Sequence, residues 1–398
     1  MDQEESEPTR RKFFVPSIVL SVFATYVSAP ILTLLLSDIA ESFFGSASSA
    51  TTGISAQLST ATSIAEVAIG LLLGVLAIRF RHKSLLLVGL TFITVSAIGS
   101  FVAPSFVIFQ AFFILEGIGT VMVVIMAVSL VGDTLRINRK PKAVSYIVAV
   151  SSVTLLIGTP IISFLTNVAG WRSSFLLYML PVTVVSLLLC YFTIPSKPAH
   201  SIEAVAEHNY VQTFKKVFKN RSAVACLIGS LFFTGAIGFF VIAFFRQQLA
   251  VSRDGASLIV LGSTTLFILG SLVGGRLVSK VGAKLLTATG ALGDGVFIIL
   301  LFFAPSVWVG LTFNYLHLWF AAIAMSGFSC LALDQIPSSR VSMMSLRSVF
   351  ANVGNAVGSA LGGLMLYLFS YQALGFALGA MSIISALIIQ SLVKDPYK

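Results

Sequence analysis

The sequence predicts an all-α membrane protein, with twelve transmembrane helices arranged as two pseudo-symmetric six-helix bundles. Three observations carry this. The chain of 398 residues is 57% hydrophobic and 10% charged, with a mean hydropathy of +0.98, whereas soluble domains carry about 25% charged residues. Twelve apolar runs reach the ~20 residues that a bilayer-spanning helix needs. Finally, the two halves of the chain share a weak internal repeat.

The predicted spans cover residues 13–37, 51–77, 84–103, 105–132, 143–168, 172–194, 222–247, 254–279, 285–304, 306–333, 341–368 and 371–393. Breakers or charges mark the seams: Gly45 with a serine run, Pro104, RINRKPK (136–142), GWR (170–172), Pro195, Pro305 and Pro337. The basic Arg10–Lys12 cluster before an apolar run could open a secretory signal. That run, from Phe13 to about Leu36, is too long for one and shows no convincing cleavage site, so it is expected to be the first helix.

Charge sets the expected orientation. If the N-terminus is cytoplasmic, 22 of the 25 Lys and Arg residues fall on the inner side, and only Arg172, Arg246 and Arg253 on the outer side. The positive-inside rule then puts both termini in the cytoplasm of a multi-pass protein of the cell (inner) membrane. The net charge of +10 is spread over short clusters between apolar runs, so no nucleic-acid-binding face is expected. Cys190, Cys226 and Cys330 lie in apolar segments without disulfide or metal-ligand spacing.

The longest connection, 195–221, divides the spans six and six. The expected domains are a tail (1–12), an N-terminal bundle (13–194), a linker with an amphipathic surface helix (195–221), a C-terminal bundle (222–393) and a second tail (394–398). The repeat lies after the second and eighth spans: GVLAIRFRHKSLL (74–86) matches GRLVSKVGAKLL (275–286) at an offset of 201, pairing Gly74 with Gly275, Arg79 with Lys280 and Lys83 with Lys284. Two similar halves imply a binding site at their interface and alternating access by rocking.

Three stretches carry a family resemblance. Residues 74–86 partly fit G-x-L-A-D-R-x-G-R-[RK]-x-x-L, with Ile78 at the aspartate position and Arg81 at the loop glycine. GTPIISFLTNVAGWRSSF (158–175) pairs Gly158 and Pro160 with a terminal G-W-R-x-x-F, and Gly117 and Gly119 match the glycines of R-x-x-Q-G-x-G. In that last stretch Phe113 replaces the arginine and Glu116 the glutamine. The chain resembles the major facilitator superfamily, most closely its drug:proton antiporter branch. The resemblance implies the major facilitator fold, no cofactor, and structural or gating roles for Gly74, Arg79, Lys83, Gly158, Pro160, Gly275 and Lys280.

Ionisable groups deep in a span are costly and mark function by default. Glu66, Glu116, Asp294 and His317 qualify. On the family's architecture, Glu116 and Glu66 line the central cavity and are the expected proton-coupling residues, while Asp294 is a buried brace. A carboxyl shielded from water can hold a proton until it is wetted or meets a cationic substrate. Expected substrate contacts are Tyr26, Phe113, Thr120, Phe233, Tyr315, His317, Trp319 and Asn352. No span carries Lys or Arg near its midplane, which argues against a small-anion substrate.

The sequence contains no nucleotide-binding loop, metal cluster or nucleophilic triad, so neither an enzyme nor a metal site is expected. The resulting expectation is a monomeric proton-coupled antiporter, embedded in membrane lipid, that exports hydrophobic or amphiphilic cations. A symporter or uniporter for a neutral solute, or a lipid-translocating or sensor protein on the same scaffold, would use the same features differently.

Overall fold

The computed structural model describes residues 6–134, 140–194, 217–233, 237–336 and 340–394. Among them twelve helices are long and apolar enough to cross a membrane, from Phe13–Phe44 to Tyr371–Leu392. The protein is all-helical, as the composition demands: without water, only helices or closed barrels can pair every backbone group. The linker helix expected over 203–220 lies, up to residue 216, outside the described residues.

Several spans are interrupted. The first consists of α1 (Ser6–Thr25) and α2 (Ser28–Phe44), with a turn at Tyr26 and Val27. Pro30 accounts for the break. It offers no N–H, and its ring clashes with the carbonyl four residues back, that of Tyr26. Short i to i−3 bonds carry the chain through instead: Tyr26 N donates to Phe23 O and Ala29 N to Tyr26 O, both at 3.1 Å. The second span is α3 (Ser49–Ser55) followed by α4 (Gln57–Arg79). Next come α5 (His82–Val102), α6 (Phe106–Thr134) and α7 (Lys140–Ala169). The sixth span begins with a π-helical turn, Phe175–Met179, and continues as α8 (Leu180–Thr193), with Pro181 at its start.

The seventh span is α9 (Arg221–Phe233) and α10 (Gly238–Gln247). The remaining spans are single helices: α11 (Arg253–Val281), α12 (Ala283–Leu301), α13 (Val307–Gln335), α14 (Arg340–Leu368) and α15 (Tyr371–Leu392).

The chain groups into two compact units. The first contains Met1–Leu35 and Ala65–Glu203, the second Leu36–Ile64 and Ala204–Lys398. Residues 36–64 pack within the second unit. Glycine makes that packing possible. A Cβ on Gly363 would stand 2.6 Å from the Gly53 carbonyl, so the two backbones approach too closely for any side chain. Thr60 and Ser359 share a hydroxyl hydrogen bond of 2.9 Å alongside.

In the first unit, α5 and α6 meet in the same way: a Cβ on Gly119 would lie 2.5 Å from the Gly89 carbonyl. Lys83 closes that unit at one end. Its ammonium donates to the carbonyls of Tyr191 (2.7 Å) and Ile194 (2.6 Å). Those groups have no helical partner at the end of α8, and a cation suits the negative pole there.

Candidate functional site

In the first unit the break in the first span is the organising feature. Ending α1 at Thr25 frees carbonyls that need donors from elsewhere. The Thr120 hydroxyl of α6 reaches one of them, Thr25 O, at 3.4 Å. Glu116, one helical turn earlier on the same face of α6, has its carboxyl beside the Ser28 hydroxyl at the start of α2. Glu116 is 3% exposed, and its Oε2 has no hydrogen-bond partner. The break therefore places two polar side chains of α6 against two helix ends within the span.

Glu66 of α4 joins this cluster. It lies close enough to Glu116 and Tyr26 for its charge to act on both. No Lys or Arg ion pair with either carboxyl is present among the described residues. Gly158 of α7 stands opposite, where a Cβ would fall 2.8 Å from Pro30 Cγ and 2.7 Å from the Tyr178 hydroxyl. Its lack of a side chain lets α7 approach the proline that makes the break. Pro160 lies inside α7 on an exposed surface.

Phe113 is buried in an aromatic group with Phe109 (centroids 5.0 Å apart), Phe175 (6.2 Å) and, through these, Trp171. Phe113 thereby joins α6 to the π-helical turn, and Arg172, over the Trp171 ring, donates to the Ala103 carbonyl at 2.8 Å. Gly74 and Arg79 lie on α4, but their surroundings fall outside what the structure describes.

The second unit holds a separate polar group. His317 Nδ1 lies 2.6 Å from Asp294 Oδ1, and the Ser382 hydroxyl donates to Asp294 Oδ2. All three are buried, on α13, α12 and α15. His317 thus spends one ring nitrogen on Asp294, whose two carboxylate oxygens meet His317 and Ser382. Tyr315 packs its hydroxyl over Gly262 and Trp319 lies against Gly270. Phe233 packs on Phe328 with centroids 5.2 Å apart. Asn352 is half-buried on α14, while Gly275 and Lys280 are exposed on α11.

A further polar group of the second unit centres on Asp38. Asp38 lies within α2, 9% exposed, and pairs with both Arg246 and Arg253. Gln247 continues the network to Ser37 (3.1 Å), Thr52 (2.6 Å) and the Tyr371 hydroxyl (2.7 Å). Ser28 escapes the sequence reading; its signal was Pro30, a helix breaker in an otherwise apolar span.

The fold is similar to that of solved transporters. A D-xylose–proton symporter superposes with a TM-score of 0.79 at 18% identity, covering 96% of this chain and 98% of that one. A bacterial homologue of the human lysosomal transporter Spinster, inward-facing and unoccupied, gives 0.74 at 14% over 98% and 96%. The nucleoside transporter NupG gives 0.74 at 15% over 96% and 100%. A search of curated proteins returns no match. The family profile described as Major Facilitator Superfamily matches residues 14–248 and 231–398. Profile, twelve spans and shared fold agree, and the chain belongs to the major facilitator superfamily of membrane transporters.

Proposed function

We propose that this protein is a proton-coupled secondary transporter whose proton is carried by Glu116, with Glu66 as its neighbour. The observation that carries the reading is the buried Oε2 of Glu116, which has no partner. An ionised carboxylate with an orphan oxygen away from water is costly. A proton or a substrate cation at Oε2 supplies what the protein does not, and each would displace the other. Glu66 lies within electrostatic reach of the same carboxyl.

On this reading a cationic amphiphile driven out against entering protons is the antiport form, with Tyr26 and Thr120 beside the exchange site. In the same proposal both termini are cytoplasmic and access alternates between the two faces. Symport of a neutral solute is the second reading. It is favoured by the paired hydrogen-bonding groups of the second unit, such as Asn314 Nδ2 to Ser263 Oγ at 2.9 Å, and by similarity to a sugar–proton symporter and a nucleoside transporter.

The test is transport in proteoliposomes under an imposed pH gradient. Glu116→Gln is expected to fold, because an amide keeps the contact with Ser28, but to lose the response to the gradient. Undiminished gradient-driven transport by this variant would refute the proposal. The direction of solute movement relative to the proton separates antiport from symport.

A further inference from the structure

The charge count places Arg347 among the inner-face cations. In the structure it is 9% exposed, two helical turns inside α14. It packs against α13, where its Nη2 meets the Met325 thioether at 3.2 Å and its guanidinium lies 6.0 Å from the centre of the Phe328 ring. The Cys226 thiol of α9 is within electrostatic reach. Its Nε has no partner.

These contacts do not answer a buried positive charge. A thioether is a weak acceptor, and an aromatic face offsets only part of the desolvation of a guanidinium. Among the described residues no ion pair joins Arg347 to a carboxylate: of the buried carboxylates of this unit, Asp38 holds Arg246 and Arg253, and Asp294 holds His317 and Ser382. A guanidinium is a planar fork that fits a carboxylate or phosphate through two parallel hydrogen bonds, and its Nε is one tine of that fork.

The geometry points to Arg347 as the receptor for an anionic group, a carboxylate or phosphate, presented from the end of the second unit that carries Arg221 and Gln335. Met325 and Phe328 form the apolar wall against which the remainder of such a ligand packs. This site is separate from Glu116 and holds whichever direction the proton moves. If its ligand is the transported solute, that solute bears an anionic group, and the sequence-based case against anions no longer applies.

The test uses the purified full chain in phosphatidylcholine nanodiscs, with melting temperature followed against sodium phosphate and sodium succinate at constant ionic strength in chloride. Wild type is expected to gain about 2–5 °C at saturation with one or both anions. Arg347→Gln is expected to gain nothing, and Arg347→Lys, which keeps the charge but not the fork, less than wild type. A parallel arm replaces part of the lipid with phosphatidylglycerol. If a lipid headgroup fills the site, this alone stabilises wild type but not Arg347→Gln, and added phosphate contributes no more. Equal gains in wild type and Arg347→Gln, or no gain from any anion or anionic lipid, would overturn the assignment. Should Arg347→Gln fail to fold, equilibrium dialysis of labelled phosphate against wild type and Arg347→Lys decides: binding weakened in the lysine variant supports the site, and no binding to wild type removes it. The Glu116→Gln variant should keep the anion response, so the proton reading and this one fail independently.

Discussion

His317 and Asp294 form a buried pair, Nδ1 to Oδ1 at 2.6 Å, whose second carboxylate oxygen is held by Ser382. Three helices, α12, α13 and α15, are tied at one point inside the second unit. Removing one partner of a buried pair leaves an uncompensated polar group. Asp294→Ala is therefore expected to destabilise the protein by about 3–5 kcal/mol, visible as a lower melting temperature. Because the role is structural, the folded fraction should retain its response to a pH gradient. Gradient response lost in a fully stable Asp294→Ala protein would contradict the brace.

The break at Tyr26 and Val27 rests on Pro30. Pro30→Ala restores a backbone N–H and lets the helix run on, which would draw Ser28 away from Glu116. Melting temperature should hold or rise, since alanine favours helix by about 3 kcal/mol over proline, while gradient-driven transport falls. Unchanged transport would show that the break is incidental to the site.

Close helix approach gives a paired prediction. Gly119→Ala forces a Cβ to 2.5 Å from the Gly89 carbonyl, and overpacking of this kind costs about 1–3 kcal/mol. Gly275→Ala has no atom within 4 Å to meet, and alanine is the better helix former. The first variant should melt lower than wild type and the second the same or higher.

Asp38 is the shared carboxylate of Arg246 and Arg253. Asp38→Asn keeps the shape but removes the charge, at an expected cost of about 3–5 kcal/mol. Because the group is largely buried, the loss should persist at 1 M salt, where an exposed pair would already be screened. A loss that vanishes in high salt would mark the pair as a surface interaction.

Lys83 bridges the last carbonyls of α8. Lys83→Met retains the stem and removes the donors, with an expected loss of about 1.5–3 kcal/mol, the usual range for a hydrogen bond to a charged group. Proteolysis near residue 194 would report local fraying before global unfolding.

The sequence by itself determined the membrane class, the number of spans and the family, because these follow from apolar run length and from breakers at the seams, both local in the chain. It also pointed to Glu116 and Glu66, since a carboxylate amid Phe, Ile and Leu is anomalous wherever the helix packs. Tertiary structure alone decided the partners. That Ser28 meets Glu116, that Asp38 is an ion-pair centre, and that Arg347 is buried with no carboxylate partner among the described residues all depend on which residues distant in sequence face each other. Helical periodicity tells which side of a helix a residue occupies. It does not tell what the opposing helix presents, and the cost of a buried charge depends on that neighbour.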